Sequence, residues 1–312
     1  MNDYQQYDAV ALAELVKKGE TTASELVNAA IDRAESINPT INAIVTPMYD
    51  AARENVRHLP QGPLQGIPFL IKDLNHVAGV PTSMGSRLFK DYVPDHDGHV
   101  VTRFKNAGLN IMGKTNTPEF GLMGHTENLL KDHCRTPWDP NKTAGGSSGG
   151  AGSAIAAGFC SIAMGGDAGG SIRIPSSYNG IFGIKPTQGR VPNPNPTHNF
   201  LSQNGPMTRY VEDAALMLEI ITGFSSEDPS SLNKPPIKFE NEFWDYSLTN
   251  YLQKTYSKNK LNIAWIDNFG HAKPDSDVKA KCLNTLSLLE KEGHTITHIN
   301  ICLLYTSDAA DE

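Results

Sequence analysis

The sequence predicts an α/β fold, a mixed, twisted β-sheet flanked by helices, in a single domain over residues 1–301. Three observations carry this. Short apolar runs with strand character alternate with amphipathic helical stretches along the chain. Composition is that of a globular protein, 39% hydrophobic and 20% charged in 312 residues. No uninterrupted apolar run reaches the roughly 18 residues that a membrane helix needs.

The elements follow in chain order. Thr22-Ala-Ser-Glu25 has capping-box spacing ahead of Leu26, Val27, Ala30, Ile31 and Ala34, which predicts an amphipathic helix that stops before Asn38-Pro39. Gly66-Ile-Pro-Phe-Leu-Ile-Lys72 reads as a short buried strand. Residues 100–107 read as a helix ended by Gly108, with a strand over 109–112. Residues 136–190 are rich in Gly, Ser and Pro, broken by a small-residue helix over 152–159 and a strand at 162–164. A linker of that composition would be polar and monotonous. This stretch instead carries Ile162, Ile172, Ile174, Ile181, Phe182 and Ile184, so a packed, loop-built site is expected. A helix over 211–222, a strand over 261–266, a helix over 277–291 closed by Gly293 and a strand over 295–301 complete the pattern.

Residues 302–312 do not read as natural protein. They match one frame of a common sequencing-transposon adapter, so they are expected to be a foreign tail, with the natural protein continuing beyond residue 301. A genomic locus encoding this tail ahead of a genuine stop codon would refute that expectation.

Charge and cysteine usage narrow the function classes. The net charge of −7, with no Lys/Arg-rich run, offers no footprint for phosphate backbones or anionic lipid, so neither nucleic acid nor membrane is expected as a partner. Cys134, Cys160, Cys282 and Cys302 form no Cys-x-x-Cys pair, which speaks against a zinc site and a secreted disulfide framework. With no basic, apolar leader at the N-terminus, a cytoplasmic protein is expected.

Three motif matches compete for the chemistry, and context separates them. Gly108-Leu-Asn-Ile-Met-Gly-Lys114-Thr fits the phosphate-loop pattern. Its intervening residues are bulky and strand-like, however, and Pro118 denies the helix N-terminus that should receive a phosphate. Gly145-Gly-Ser147-Ser-Gly149 fits the nucleophile elbow of α/β-hydrolases, but a turn, Trp138-Asp-Pro-Asn, precedes it in place of the required strand. The third match joins Lys72, the Gly-Gly-Ser147-Ser-Gly-Gly block and Asp167-Ala-Gly-Gly-Ser171-Ile-Arg-Ile-Pro175. A serine nucleophile needs a base, and a lysine serves if it is held neutral. Lys72 follows a buried run, so desolvation can lower its pKa from about 10.4 toward neutrality, at a cost of roughly 4 kcal/mol for three pH units. Gly169 and Gly170 let the backbone ahead of Ser171 approach a ligand and present N–H groups to a developing oxyanion.

These blocks, with Pro63-Leu-Gln-Gly-Ile-Pro-Phe-Leu-Ile-Lys72-Asp73, Gly113-Lys-Thr-Asn-Thr-Pro-Glu-Phe120, Gly180-Ile-Phe-Gly-Ile-Lys-Pro-Thr187 and Gly205-Pro-Met-Thr-Arg209, resemble the amidase-signature family over nearly all of residues 8–300. The resemblance implies an amidase that hydrolyses a carboxamide C–N bond, linear or cyclic, through an acyl-enzyme. It implies Lys72 as base, Ser147 as bridging serine and Ser171 as nucleophile, the two serines 24 positions apart. It also implies a cis peptide between Gly146 and Ser147, and oxyanion donors from the backbone of Ala168, Gly169, Gly170 and Ser171. Its expectations extend to a small-molecule amide substrate, no metal and no organic cofactor, with a homodimer allowed. Within the family, the stretch from Ala9 to Arg190 looks most like the 6-aminohexanoate cyclic-dimer hydrolases and related bacterial amidases. An alternative is the glutamine-hydrolysing subunit of a tRNA-dependent amidotransferase, from whose form Ile174 and residues 193–203 depart; another is an inactive truncated fragment.

Other residues read as structural. Asp167 and Arg173 are expected to brace their loop, and Ser148 to make local hydrogen bonds. Asp95-His96-Asp97-Gly-His99 reads as a solvated turn, and Cys160 as core.

Overall fold

A cap decides where the long N-terminal helix starts. In the computed structural model, which describes residues 4–194, 201–233, 260–268 and 274–299, Thr22 Oγ1 accepts the Glu25 N–H at 3.1 Å and Glu25 returns the bond to the Thr22 N–H at 2.8 Å. Ahead of it runs α1 (Ala9–Lys17), and behind it α2 (Ala23–Ile41). Helix α2 does not stop before Asn38-Pro39 as the sequence suggests; it continues for another turn through Pro39. The reason is Asn38, whose side chain accepts the N–H groups of Ala43 and Ile44 and donates to the Ile44 carbonyl, tying the helix end to the strand that follows.

That strand, β1 (Ile44–Pro47), leads to α3 (Tyr49–Asn55) and to β2 (Pro68–Lys72), every residue of which is buried. Helix α4 (His99–Asn106) ends as the Gly108 signal foretells, and β3 (Asn110–Thr115) follows. A small ribbon, β4 (Arg135–Thr136) with β5 (Asp139–Thr143), precedes α5 (Gly149–Ala156), β6 (Ile162–Asp167), α6 (Arg173–Asn179), β7 (Phe182–Gly183), β8 (Gln203–Thr208) and α7 (Val211–Ile221). The central sheet has the order β1-β3-β2-β6-β8-β7; β2 runs parallel to β3 and β6, while β1 and β8 are antiparallel to their neighbours. The expected mixed α/β sheet with flanking helices is therefore present.

Helix α5 starts three residues earlier than predicted and is built almost wholly from Gly, Ala and Ser. Backbone contact requires this. A Cβ on Gly150 would stand 2.4 Å from the Asn116 nitrogen and 2.6 Å from the Ala43 carbonyl oxygen. The main hydrophobic core joins Leu26, Ile31, Phe69, Leu70, Phe104, Phe159 and Ile162, among others, with Phe69 and Phe104 tilted against each other at 4.6 Å.

The chain forms two compact units, 1–246 and 247–312. Within the second, β9 (Asn262–Trp265) pairs in parallel with β10 (Thr295–His298), connected by α8 (Ser276–Lys291), a βαβ unit close to the predicted one. The tail read as foreign, 302–312, lies outside the described residues. Among the described residues no helix is long and apolar enough to cross a membrane.

Candidate active site

Two adjacent, parallel strands, β2 and β6, deliver the first two polar groups. Lys72 ends β2, and its ammonium, 1% exposed, is 2.6 Å from Ser147 Oγ and 3.3 Å from the Gly166 carbonyl on β6. Burial pushes its pKa from the ordinary 10.5 down to about 7, against an opposing pull from the Asp167 carboxylate. This is the desolvated lysine the sequence predicts.

Ser147 precedes α5 in a turn assembled by small residues. The Gly146–Ser147 peptide is cis, as the resemblance implies. Thr126 Oγ1 donates to the Gly145 carbonyl at 2.8 Å and accepts the Gly149 N–H at 3.1 Å, fixing the turn on both sides. Ser148 acts locally: its hydroxyl donates to the Gly166 carbonyl and accepts the Gly166 N–H. Its N–H donates to the Ser171 carbonyl at 3.1 Å, which brings the predicted nucleophile's segment to the Lys72–Ser147 pair.

The segment from β6 to α6 is organised by Asp167. Its buried carboxylate accepts the N–H groups of Gly170 (2.7 Å), Ile172 (3.0 Å) and Arg173 (3.3 Å), and two bonds from the Arg173 guanidinium, both 3.0 Å. Burial acts to raise its pKa, but the guanidinium and the three N–H donors outweigh it and hold the carboxyl at about 2. Bracing, rather than proton transfer, is the role this geometry supports.

Gly170's N–H, foreseen as an oxyanion donor, is given to Asp167. An aspartate readily closes such a local loop onto the N–H three residues on, and Gly170, at φ +117°, supplies the conformation. The N–H groups of Ala168, Gly169 and Ser171 have no hydrogen-bond partner among the described residues, and Ala168 and Gly169 are exposed.

Gly121 is a site residue that the sequence reading missed. A Cβ there would stand 3.3 Å from Ser147 Oγ and 2.8 Å from Leu74 Cδ1, so a bare glycine at φ +72° lets this turn close over the serine. Its only sequence signal is a glycine directly after the Gly113–Phe120 block.

The competing motifs resolve structurally. Lys114 lies within fully buried β3, with no phosphate-type loop around it, and pairs with Asp73 at 2.9 Å. Asp97 is engaged by the Ala78 N–H and by Lys105. Cys160 is buried in the core, which pushes its thiol up to about 12 and keeps it inert.

Known proteins align with this architecture. The Amidase family pattern matches residues 25–307. An acylamidase of Rhodococcus erythropolis is 37% identical over 300 residues, covering 93% of this chain and 60% of that protein. A glutamyl-tRNA(Gln) amidotransferase subunit of Lachnospira eligens is 35% identical over 308 residues, 96% of this chain and 62% of that protein. The solved structure of a 6-aminohexanoate cyclic dimer hydrolase complexed with substrate superposes with a TM-score of 0.83 at 32% identity, covering 95% of this chain and 61% of that one. The chain thus spans about three fifths of the length of these relatives. With that extent of match and the Lys72–Ser147 geometry, the chain belongs to the Amidase family, the amidase-signature enzymes.

Proposed function

We propose that this cluster is the catalytic centre of a serine amidase that cleaves a carboxamide C–N bond through Lys72, Ser147 and Ser171. The observation that carries the reading is the 2.6 Å contact between a buried, neutral-prone lysine and Ser147 Oγ, with the Ser171 segment tied to the same turn. Neutral Lys72 accepts the Ser147 proton while Ser147 accepts that of Ser171, and Ser171 Oγ bonds to the amide carbon. Charge developing on the carbonyl oxygen is met by the free N–H groups of Ala168, Gly169 and Ser171, each such donor being worth about 3 to 4 kcal/mol. The C–N bond breaks as the amine takes a proton from Lys72 through Ser147. Water then attacks the acyl-Ser171 ester by the same relay, releasing the acid and restoring the serine. This relay needs neither metal nor organic cofactor, and a small-molecule amide in the cytoplasm suits it.

A second reading, glutamine hydrolysis for a tRNA-dependent amidotransferase, draws on the likeness to the Lachnospira eligens protein. Ile174 weighs against it: this residue, a departure from the form of the glutamine-hydrolysing subunit, fills the space beside Gly124, Gly145 and Gly170 at the site.

Intact-mass analysis after exposure to a fluorophosphonate tests the assignment. The expected result is one adduct on the 312-residue chain, absent in Ser171→Ala and slowed in Lys72→Ala. An adduct that persists in Ser171→Ala refutes the nucleophile. Ammonia release from L-glutamine, compared with amine release from aryl acylamides, separates the two readings.

A further inference from the structure

We propose that the buried ion pair Asp73–Lys114 is a strut that positions the lid of the Lys72–Ser147 contact, making Asp73, Ser83 and Lys114 positioning residues for the proposed reaction. The inference rests on the amidase reading of Lys72 and Ser147 and extends it to residues whose side chains are engaged elsewhere.

The geometry begins with strand alternation. Successive side chains at the end of β2 part to opposite sides, so Lys72 goes to Ser147 while Asp73, next in the chain, goes to Lys114 on β3. The two ions of that pair are 1% and 0% exposed and 2.9 Å apart, and Lys114 also donates to Thr82 Oγ1 at 2.7 Å. Charges this deeply buried are costly to separate, so the pair holds in place what else it bonds. What it bonds is the segment 82–86. Asp73 accepts the Ser83 hydroxyl at 2.6 Å and the Ser83 N–H at 3.2 Å, and its carbonyl accepts the Met84 N–H at 3.2 Å.

From there the connection runs to the active site. The Met84 carbonyl accepts the Phe120 N–H at 2.8 Å, and Ser86 Oγ donates to Glu119 at 2.6 Å. Both bonds hold the short turn Glu119–Gly121, whose Gly121 packs on Ser147 Oγ and on Leu74. Through Gly121 the turn lies directly against Ser147 Oγ, so its placement bears on how closely the Lys72–Ser147 contact is covered. Asp167 is the charged neighbour that acts on Lys72; in this proposal Asp73 and Lys114 act on it only through the turn they position. Loosening the strut admits water beside Lys72 and returns it toward the titration of an ordinary lysine.

The test follows the side-chain NMR titration of isotopically labelled lysine in the full chain, with the Lys72 signal assigned by Lys72→Met. Lys114→Met and Asp73→Asn break the ion pair, and Ser83→Ala is a mild variant that leaves it intact. The expected result is a Lys72 midpoint raised by about one pH unit in each variant that melts cooperatively. The fluorophosphonate rate at pH 7 falls roughly fivefold, in step with the fraction of neutral lysine, and recovers near pH 9. A folded Ser83→Ala or Lys114→Met chain whose melting temperature drops while the Lys72 midpoint stays put overturns the proposal, since a merely structural pair behaves that way. If the midpoint moves but wild-type chain forms no Ser171 adduct, the strut stands and the amidase reading falls.

Discussion

Asp167 and Arg173 grip each other through two parallel bonds, Nε and Nη2 each 3.0 Å from a carboxylate oxygen, across the segment that carries Ser171. The same carboxylate holds three backbone N–H groups, so the loop's shape and the exposure of its remaining N–H groups depend on one side chain. Without it, the backbone bonds from Ser148 N–H to the Ser171 carbonyl and from Ile174 N–H to the Gly170 carbonyl would remain, but the three N–H groups on Asp167 would lose their shared acceptor.

Asp167→Asn is expected to slow fluorophosphonate labelling of Ser171 more than tenfold. Its stability effect has a defined pH window. The folded-state pKa, about 2, lies below the ordinary 3.8, so the stabilisation is fully present above pH 4 and disappears as pH falls through 2. It amounts to on the order of 2 kcal/mol, reduced by solvent around the half-exposed guanidinium. Thermal melts between pH 2 and pH 6 check this: the acid destabilisation of wild type should be shallower in Asp167→Asn, and equal slopes would refute it.

Lys72 works in the opposite direction of charge. Its folded pKa, about 7, is depressed from 10.5, so the unfolded chain binds more protons between those values and stability rises with pH across the window. Replacing the ammonium by an apolar side chain removes this penalty, and Lys72→Met is expected to melt at a higher temperature than wild type, with the gain largest below pH 7. On the proposed relay, the same titration is expected to make the acylation rate of Ser171 rise with pH through about 7 and level off above it. A rate that is flat from pH 5 to pH 9 would mean that another group is the base.

How much of this was legible in the sequence depended on whether a signal was local. The run Ile67-Pro-Phe-Leu-Ile71 is apolar enough to announce a buried strand and hence a desolvated Lys72, and both are found. The loop-bracing of Asp167 was also readable, because its partners lie within six residues. Strand β8 was not, since it contains Gly205 and Pro206, residues that argue against a strand interior. Pro206 is accommodated because its carbonyl still accepts the Ile184 N–H. Helix α6 was hidden by Pro175, which is tolerated because it falls in the first turn, where N–H groups have no partner within the helix. Gly121 and the Asp73–Lys114 pair were out of reach for another reason. Their meaning comes from contacts across 26 and 41 residues of chain, which no local pattern encodes.

Asn38 offers a stability test of the helix end that the sequence misjudged. Asn38→Ala removes two acceptor bonds and one donor bond that anchor β1 to α2, leaving buried or half-buried peptide groups unsatisfied. A loss of about 2 to 3 kcal/mol is expected from chemical denaturation, with an unchanged denaturant slope. A loss below about 0.5 kcal/mol would show that water replaces the side chain at no cost.

Two glycines near the proposed chemistry, Gly121 and Gly169, should respond in opposite ways, and their contrast isolates geometry from composition. Gly121 sits at φ +72°, where an L-residue is strained by about 1 to 2 kcal/mol. Its new methyl would also press on Leu74 Cδ1 at 2.8 Å and approach Ser147 Oγ at 3.3 Å. Gly121→Ala is therefore expected to lower stability by about 2 kcal/mol. Because the clash falls on the serine proposed to bridge, labelling of Ser171 should slow by at least tenfold even at temperatures where the variant is fully folded. Gly169 is exposed, its φ lies outside the left-handed region, and a Cβ there meets nothing within 4 Å. Gly169→Ala should melt within about 0.5 kcal/mol of wild type and keep its N–H available to an oxyanion. Its labelling rate should stay within about threefold of wild type. If Gly121→Ala labels as fast as Gly169→Ala, the turn over Ser147 has no part in placing the serine, and the contact between Gly121 and Ser147 is packing alone.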